Sequence, residues 1–111
     1  MGRNESNKLV HFPRVTKHPQ SDKPITDLID LLGRRWMLRV IWELRGGALN
    51  FRNLQEQCGG VSSSVLIQRL SELREAGIAE LTPDGYRLTT DGSGLLDLYP
   101  PVKAWAERWA A

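Results

Sequence analysis

Ser63, Ser64, Ile67 and Gln68 fall within one six-residue stretch near the middle of the chain, and their types suit contact with nucleic-acid bases better than catalysis. Glutamine can meet an adenine edge through both amide atoms, while small hydroxyl side chains let a backbone come close to a groove floor. Ser62, at the start of the same stretch, could bind a phosphate together with the free N–H groups of a helix N-terminus. Arg52, Arg69 and Arg87 are the candidate phosphate contacts. Each has a plainer alternative, since Arg69 can pair with Glu72 or Glu75 and Arg52 with Glu56 at helical spacing.

Catalytic and metal chemistry find little support. His11 and His18 lie in a polar N-terminal stretch without further ligands nearby. There is no phosphate-binding glycine loop, no zinc-protease motif and no nucleophile–base–acid set, so neither an enzyme nor a cofactor is implied. Cys58 stands alone, which excludes an intrachain disulfide and fits a reducing cytoplasm. Beside two glycines it reads as a small buried apolar residue, with a redox switch as the alternative.

The elements that must position these residues follow from hydrophobic spacing. Leu66, Leu70 and Leu73 recur at 4- and 3-residue intervals and predict a helix over 62–76, opened by Ser62 or Ser63 as N-cap and closed by Gly77. Steps of about 100° per residue put Ser64, Gln68, Ser71 and Glu75 on the opposite face. Gly59-Gly60 makes a turn in front of it, and a short helix over Asn53–Gln57 precedes the turn. Behind it, Ile78–Leu81 and Tyr86–Leu88 read as two strands joined around Pro83-Asp84-Gly85, a tight hairpin.

Upstream, Thr26 can cap a first helix carrying Leu28, Leu31 and Leu32, which Gly33 stops. A second helix is expected from about Arg35 to Arg45, with Trp36, Val40, Ile41 and Leu44 inward and Gly46-Gly47 at its end. Ala48 to Phe51 reads as a short edge strand. Thr89 or Thr90 caps a last helical region in which Leu95, Leu98, Val102, Trp105 and Trp109 form a 3-4-3-4 seam, interrupted at Pro100-Pro101. Leu28 joins these as a candidate dimer contact. Two tryptophans so near the end favour a homodimer over a monomer that leaves them wet.

The whole is mainly α with a small β-hairpin: a three-helix core, a wing and a C-terminal dimerisation region over about 89–111. Such a helix-turn-helix running into a hairpin presents one helix to the major groove of double-stranded DNA. Residues 1–24 are polar and proline-bearing, a flexible tail or an arm along DNA. They hold five basic and two acidic groups, whereas the remaining 87 residues hold ten basic and eleven acidic groups. DNA affinity must then come from the placement of arginines and not from total charge. No apolar run is long enough for a membrane span.

The segments DLIDLLGRRW (27–36), LNFRNLQEQCGGVSSSVLIQRLSELREAGI (49–78), YRLTTDG (86–92) and WAERW (105–109) resemble the HxlR-type winged helix-turn-helix transcriptional regulators, relatives of the MarR group. The resemblance implies a prokaryotic cytoplasmic repressor or activator that dimerises through terminal helices and binds pseudo-palindromic operators. Three features depart from the family pattern. SDKPITDL lacks the cysteine that many relatives carry before the first helix, the wing is cut to Thr82–Gly85, and Arg34-Arg35 replaces a frequent Gly-Lys. Two other readings stay open: a winged helix serving as a protein-interaction module, and a sensor whose small-molecule effector sits in a pocket lined by Trp36, Tyr99 and Trp105.

Overall fold

A computed structural model describes residues 23–111. The expected N-terminal tail, with His11 and His18, lies outside the described residues except for Lys23 and Pro24. Helix α1 spans Pro24–Leu32, three residues earlier than the Thr26 cap would allow. Lys23 occupies the cap position and its carbonyl accepts from the Thr26 amide. Pro24 explains the shift: at the first helical position its fixed φ suits the helix and its missing N–H costs nothing.

Gly33 ends α1 as expected, but it keeps a right-handed conformation, and the chain reverses at Trp36 (φ 74°) instead. Helix α2 therefore starts late, at Met37, and runs to Glu43 before a 3₁₀ turn over Leu44–Gly46. Residues 48–51 do not make an edge strand. Leu49 alone bridges Tyr86, through a reciprocal pair of backbone hydrogen bonds of 2.9 and 2.8 Å. Asn50 diverts the chain: its side chain accepts from the Asn53 amide and caps α3, Phe51–Cys58, which is longer than the sequence suggested.

Gly59 at φ 69° ends α3, and Ser62 caps α4, Ser63–Glu75, by accepting from the Val65 amide. The end of α4 is a Schellman turn. Gly77, at φ 74°, donates to the Arg74 carbonyl and Ile78 to that of Leu73. Strands β1 (Ala79–Thr82) and β2 (Gly85–Leu88) pair antiparallel, with Thr82 opposite Gly85. Thr89 caps α5, Thr90–Leu95, and also donates to the Gly77 carbonyl at 2.6 Å, which ties the hairpin exit to the end of α4. After a 3₁₀ turn over Leu96–Leu98, α6 runs Tyr99–Ala110. Pro100 and Pro101 sit in its first turn, so the helix restarts there and is not kinked.

The core gathers Leu31 from α1, Met37, Val40 and Ile41 from α2, Leu54 and Cys58 from α3, and Leu66, Leu70 and Leu73 from α4, with Ile78 and Ala79 closing it under the hairpin. Four helices and a two-stranded wing surround it: a winged helix-turn-helix. All of α6 stays outside this core, and each of its residues is exposed.

Candidate nucleic-acid interface

The leucine stripe of α4 is fully inward: Leu66, Leu70 and Leu73 are each no more than 1% exposed. Helical geometry then obliges Ser63, Ser64, Ile67, Gln68 and Ser71 to face out, and all five are exposed. Ile67, at 58% exposure, is a large apolar side chain left open among polar neighbours. The turn in front of α4 is held from α3. Gln55 donates its side-chain amide to the Val61 carbonyl and to the Ser63 hydroxyl (3.0 Å). Trp36 approaches the same turn, since a Cβ on Gly60 would lie 3.9 Å from its ring. Ser62 faces solvent, with its oxygen already accepting from the Val65 amide.

The four candidate base-reading residues therefore share one face. The three arginines do not form a single cluster. Arg52, at the start of α3, is almost fully exposed and lies 3.7 Å from Glu56. Arg87, on β2, is paired across the hairpin with Glu80 at 2.7 Å. Arg69 is turned inward along the structure: its Nε donates to the Arg35 carbonyl (2.9 Å) and its Nη1 pairs with Glu72. Of the two readings open for Arg69, the geometry has the ion pair.

Glu72 is the residue that sequence reasoning undervalued. Besides Arg69, it binds Arg34 at 3.0 Å, and the Arg34 side chain is only 3% exposed. Gln68 donates Nε2 to Oε2, the same oxygen that Arg34 holds, at 3.2 Å. One carboxylate thus joins the α1–α2 linker to the outer face of α4. The i, i+3 and i, i+4 spacing on α4 was visible in the sequence. The distant Arg34 was not, because only the left-handed turn at Trp36 folds the linker onto α4.

A second feature lies away from this face. An open apolar groove of about 570 Å³ runs between α1–α2 and the C-terminal elements, lined among others by Leu32, Leu38, Ile41, Trp42, Leu98, Tyr99 and Val102. The expected pocket is corrected in its make-up: Tyr99 lines the groove, but Trp36 and Trp105 do not. Trp36 is drawn instead to the turn before α4. Trp42 takes its place, with its ring 4.3 Å from Tyr99 and the Arg45 guanidinium 4.0 Å above it.

Among the dimer candidates, Leu28 is half-buried and Leu95 packs on the core. Leu98, Val102, Trp105 and Trp109 are between 54 and 74% exposed. Cys58 is buried at the end of α3, and burial, aided by the Glu43 charge, pushes its thiol pKa up despite Arg39. No cluster among the described residues could hold a metal ion, and no described helix is long and apolar enough to cross a membrane.

The profile of HxlR-like helix-turn-helix proteins matches residues 31–111. The HTH-type transcriptional regulators YvaP and YodB of Bacillus subtilis are 27% and 31% identical over 88 and 86 residues, covering 73% and 71% of this chain and 82% and 77% of theirs. Quinone-bound YodB superposes with a TM-score of 0.73 at 31% identity, over 76% of this chain and 96% of that one. A MarR-family transcriptional regulator from Enterococcus faecalis does so with 0.69 at 25% identity, over 84% and 93%. With a match across most of its length and the same fold, the chain belongs to the HxlR-like helix-turn-helix family of transcriptional regulators.

Proposed function

We propose that the protein is a dimeric, sequence-specific DNA-binding regulator that inserts α4 into the major groove of a pseudo-palindromic site. The observation that carries this reading is the exposed Ser63–Ser64–Ile67–Gln68 face above the buried leucine stripe. Its side chains are short or neutral near the helix start, so the backbone can approach base edges, and Ile67 suits a thymine methyl group. Ser62, Arg52 and Arg87 fix the register on phosphates. Arg52 and Arg87 reach DNA by giving up weak, exposed ion pairs, which are worth little in water. Arg69 serves the protein's own packing first, and Arg35, exposed on the linker against α4, supplies a further cation.

The dimer reading rests on α6. Its apolar side chains Val102, Trp105 and Trp109 face solvent beside an open apolar groove, a pairing that a second copy completes by two-fold symmetry. Two α4 helices would then address successive major grooves, about 34 Å apart.

Fluorescence anisotropy with DNA from upstream of the gene tests the reading. Binding should weaken steeply with salt. Gln68→Ala should cost about 1–3 kcal/mol on the preferred site and relax one base position. Equal loss on scrambled DNA would remove Gln68 from sequence reading, and binding that ignores salt would remove the DNA function itself.

A further inference from the structure

The contact between Gln68 and Glu72 has a chemical consequence for which base α4 selects. A carboxylate only accepts hydrogen bonds, so the part of the Gln68 amide facing Glu72 must be its NH₂ group, as the 3.2 Å contact from Nε2 to Oε2 has it. The amide carbonyl is thereby turned away from Glu72. Glu72 cannot readily swing aside, because Arg34 at 3.0 Å and Arg69 hold the same carboxylate, whose side chain is only 13% exposed. The linker secures the arrangement a second time through the bond from Arg69 Nε to the Arg35 carbonyl.

We propose that Glu72 is a positioning residue for base selection: by holding one hydrogen of the Gln68 amide, it fixes the order of donor and acceptor that Gln68 shows to the DNA. The inference rests on the DNA-reading role of α4. A fixed amide offers one remaining N–H beside one carbonyl. Adenine presents the complementary pair, the N7 acceptor beside the N6 amino donor. Guanine presents two acceptors, N7 and O6, and sets one of them against the Gln68 carbonyl. An unrestrained glutamine could rotate its amide and offer donors to guanine. Glu72 removes that option and turns an adaptable side chain into a selective one.

The test is selection from random duplexes by the full-length protein, followed by competition among the four bases at each position. Gln68→Ala first marks the position that Gln68 reads. There, the wild-type protein should prefer adenine over guanine by at least about fivefold. Glu72→Gln should bring that ratio towards one while leaving preferences elsewhere in the site in place. Glu72→Asp, which keeps the charge for Arg34 but withdraws the carboxylate by one methylene, should act in the same direction and serves if Glu72→Gln does not fold. Arg34→Met removes one of the two cations that hold Glu72 but leaves Arg69 and the Gln68–Glu72 contact in place, so it should lower the melting temperature and lower the base ratio less than either Glu72 variant does.

A wild-type preference for guanine at the Gln68 position would overturn the inference, as would an adenine preference that survives both Glu72 variants. Collapse of the ratio in Arg34→Met as complete as in the Glu72 variants would also overturn it, by showing general loosening. A wild-type protein that selects no sequence, or a Gln68→Ala variant that alters no position, would instead remove the DNA-reading role on which the inference stands.

Discussion

The Arg34–Glu72–Arg69 cluster allows a stability prediction whose ordering is set by burial. Glu72→Met leaves the Arg34 guanidinium, 3% exposed and 3.0 Å from the lost carboxylate, without that partner. Removing the shared member of a buried ion-pair network costs up to about 3–5 kcal/mol, because both cations keep their desolvation penalty while losing this carboxylate. Arg34→Met should cost less, about 1–3 kcal/mol, since Glu72 retains Arg69 and the Gln68 amide. The double variant Arg34→Met/Glu72→Met leaves only Arg69, which keeps its bond to the Arg35 carbonyl and is less buried than Arg34. It should therefore be more stable than Glu72→Met alone.

The sum of the two single effects should exceed the double effect by at least about 1 kcal/mol, a coupling expected only of groups in direct contact. Urea unfolding at one fixed protein concentration measures all four species, with concentration held constant because association adds to apparent stability. In a domain of this size, the loss in Glu72→Met corresponds to a melting temperature lower by roughly 12 °C or more. Additivity within about 0.5 kcal/mol would refute the reasoning. So would an Arg34→Met effect as large as that of Glu72→Met, since it would mean that Glu72 does not serve both cations.

Three further outcomes follow from other parts of the fold. A methyl on buried Gly92 would come within 2.0 Å of the Ile78 carbonyl oxygen, so Gly92→Ala should destabilise by about 1–3 kcal/mol or more in the same urea assay, whereas Gly94→Ala, with open space around it, should not. Cys58, 1% exposed and with a raised thiol pKa, should be alkylated at least about tenfold more slowly in the native protein than in urea at pH 8. The stability its burial provides is complete below the ordinary thiol range and is lost as pH climbs through the raised value, so Cys58→Ala should flatten the alkaline limb of a stability–pH profile. Val102→Asp, in the exposed stripe of α6, should leave the melting of the core nearly unchanged while sedimentation shows monomer at concentrations where the proposed wild-type dimer forms.

What could be read from the sequence was the chemistry that acts over three or four residues. The Leu66–Leu70–Leu73 stripe, the Ser62 cap, the Gly59-Gly60 turn and the hairpin at Pro83-Asp84 all depend on neighbours along the chain, and all appear in the fold. Boundaries failed where two local signals competed. Thr26 and Pro24 both announce a helix start, and the proline prevailed. Ala48 and Leu49 look strand-like, yet the Asn50 cap converts the next residues to helix and leaves Leu49 a single bridge to Tyr86. The site failed to be fully legible for a different reason. The sequence left Arg69 open between a phosphate contact and a pair with Glu72 or Glu75, and Arg34, whose buried guanidinium also holds Glu72, comes from a distant loop. No periodicity links them.

The same contrast governs α6. Its 3-4-3-4 stripe continues through Val102, Trp105 and Trp109, yet the fold leaves every residue from Tyr99 onward exposed. A 12-residue helix is marginal in water on its own. Its attachments here are the Trp42–Tyr99 stack, the apolar groove near its start, and an exposed Lys103–Glu107 pair of small value. The Trp105–Trp109 pair, with ring centroids 5.8 Å apart, has no core beneath it. A helix with that apolar stripe gains its stability from a surface that buries the stripe, and the groove beside it has the matching chemistry. Dimer formation, in this reading, supplies the surface that stabilises α6. Because α1 and α2 form the other wall of that groove and their linker grips Glu72, the proposed dimer would also brace the helix proposed to read DNA.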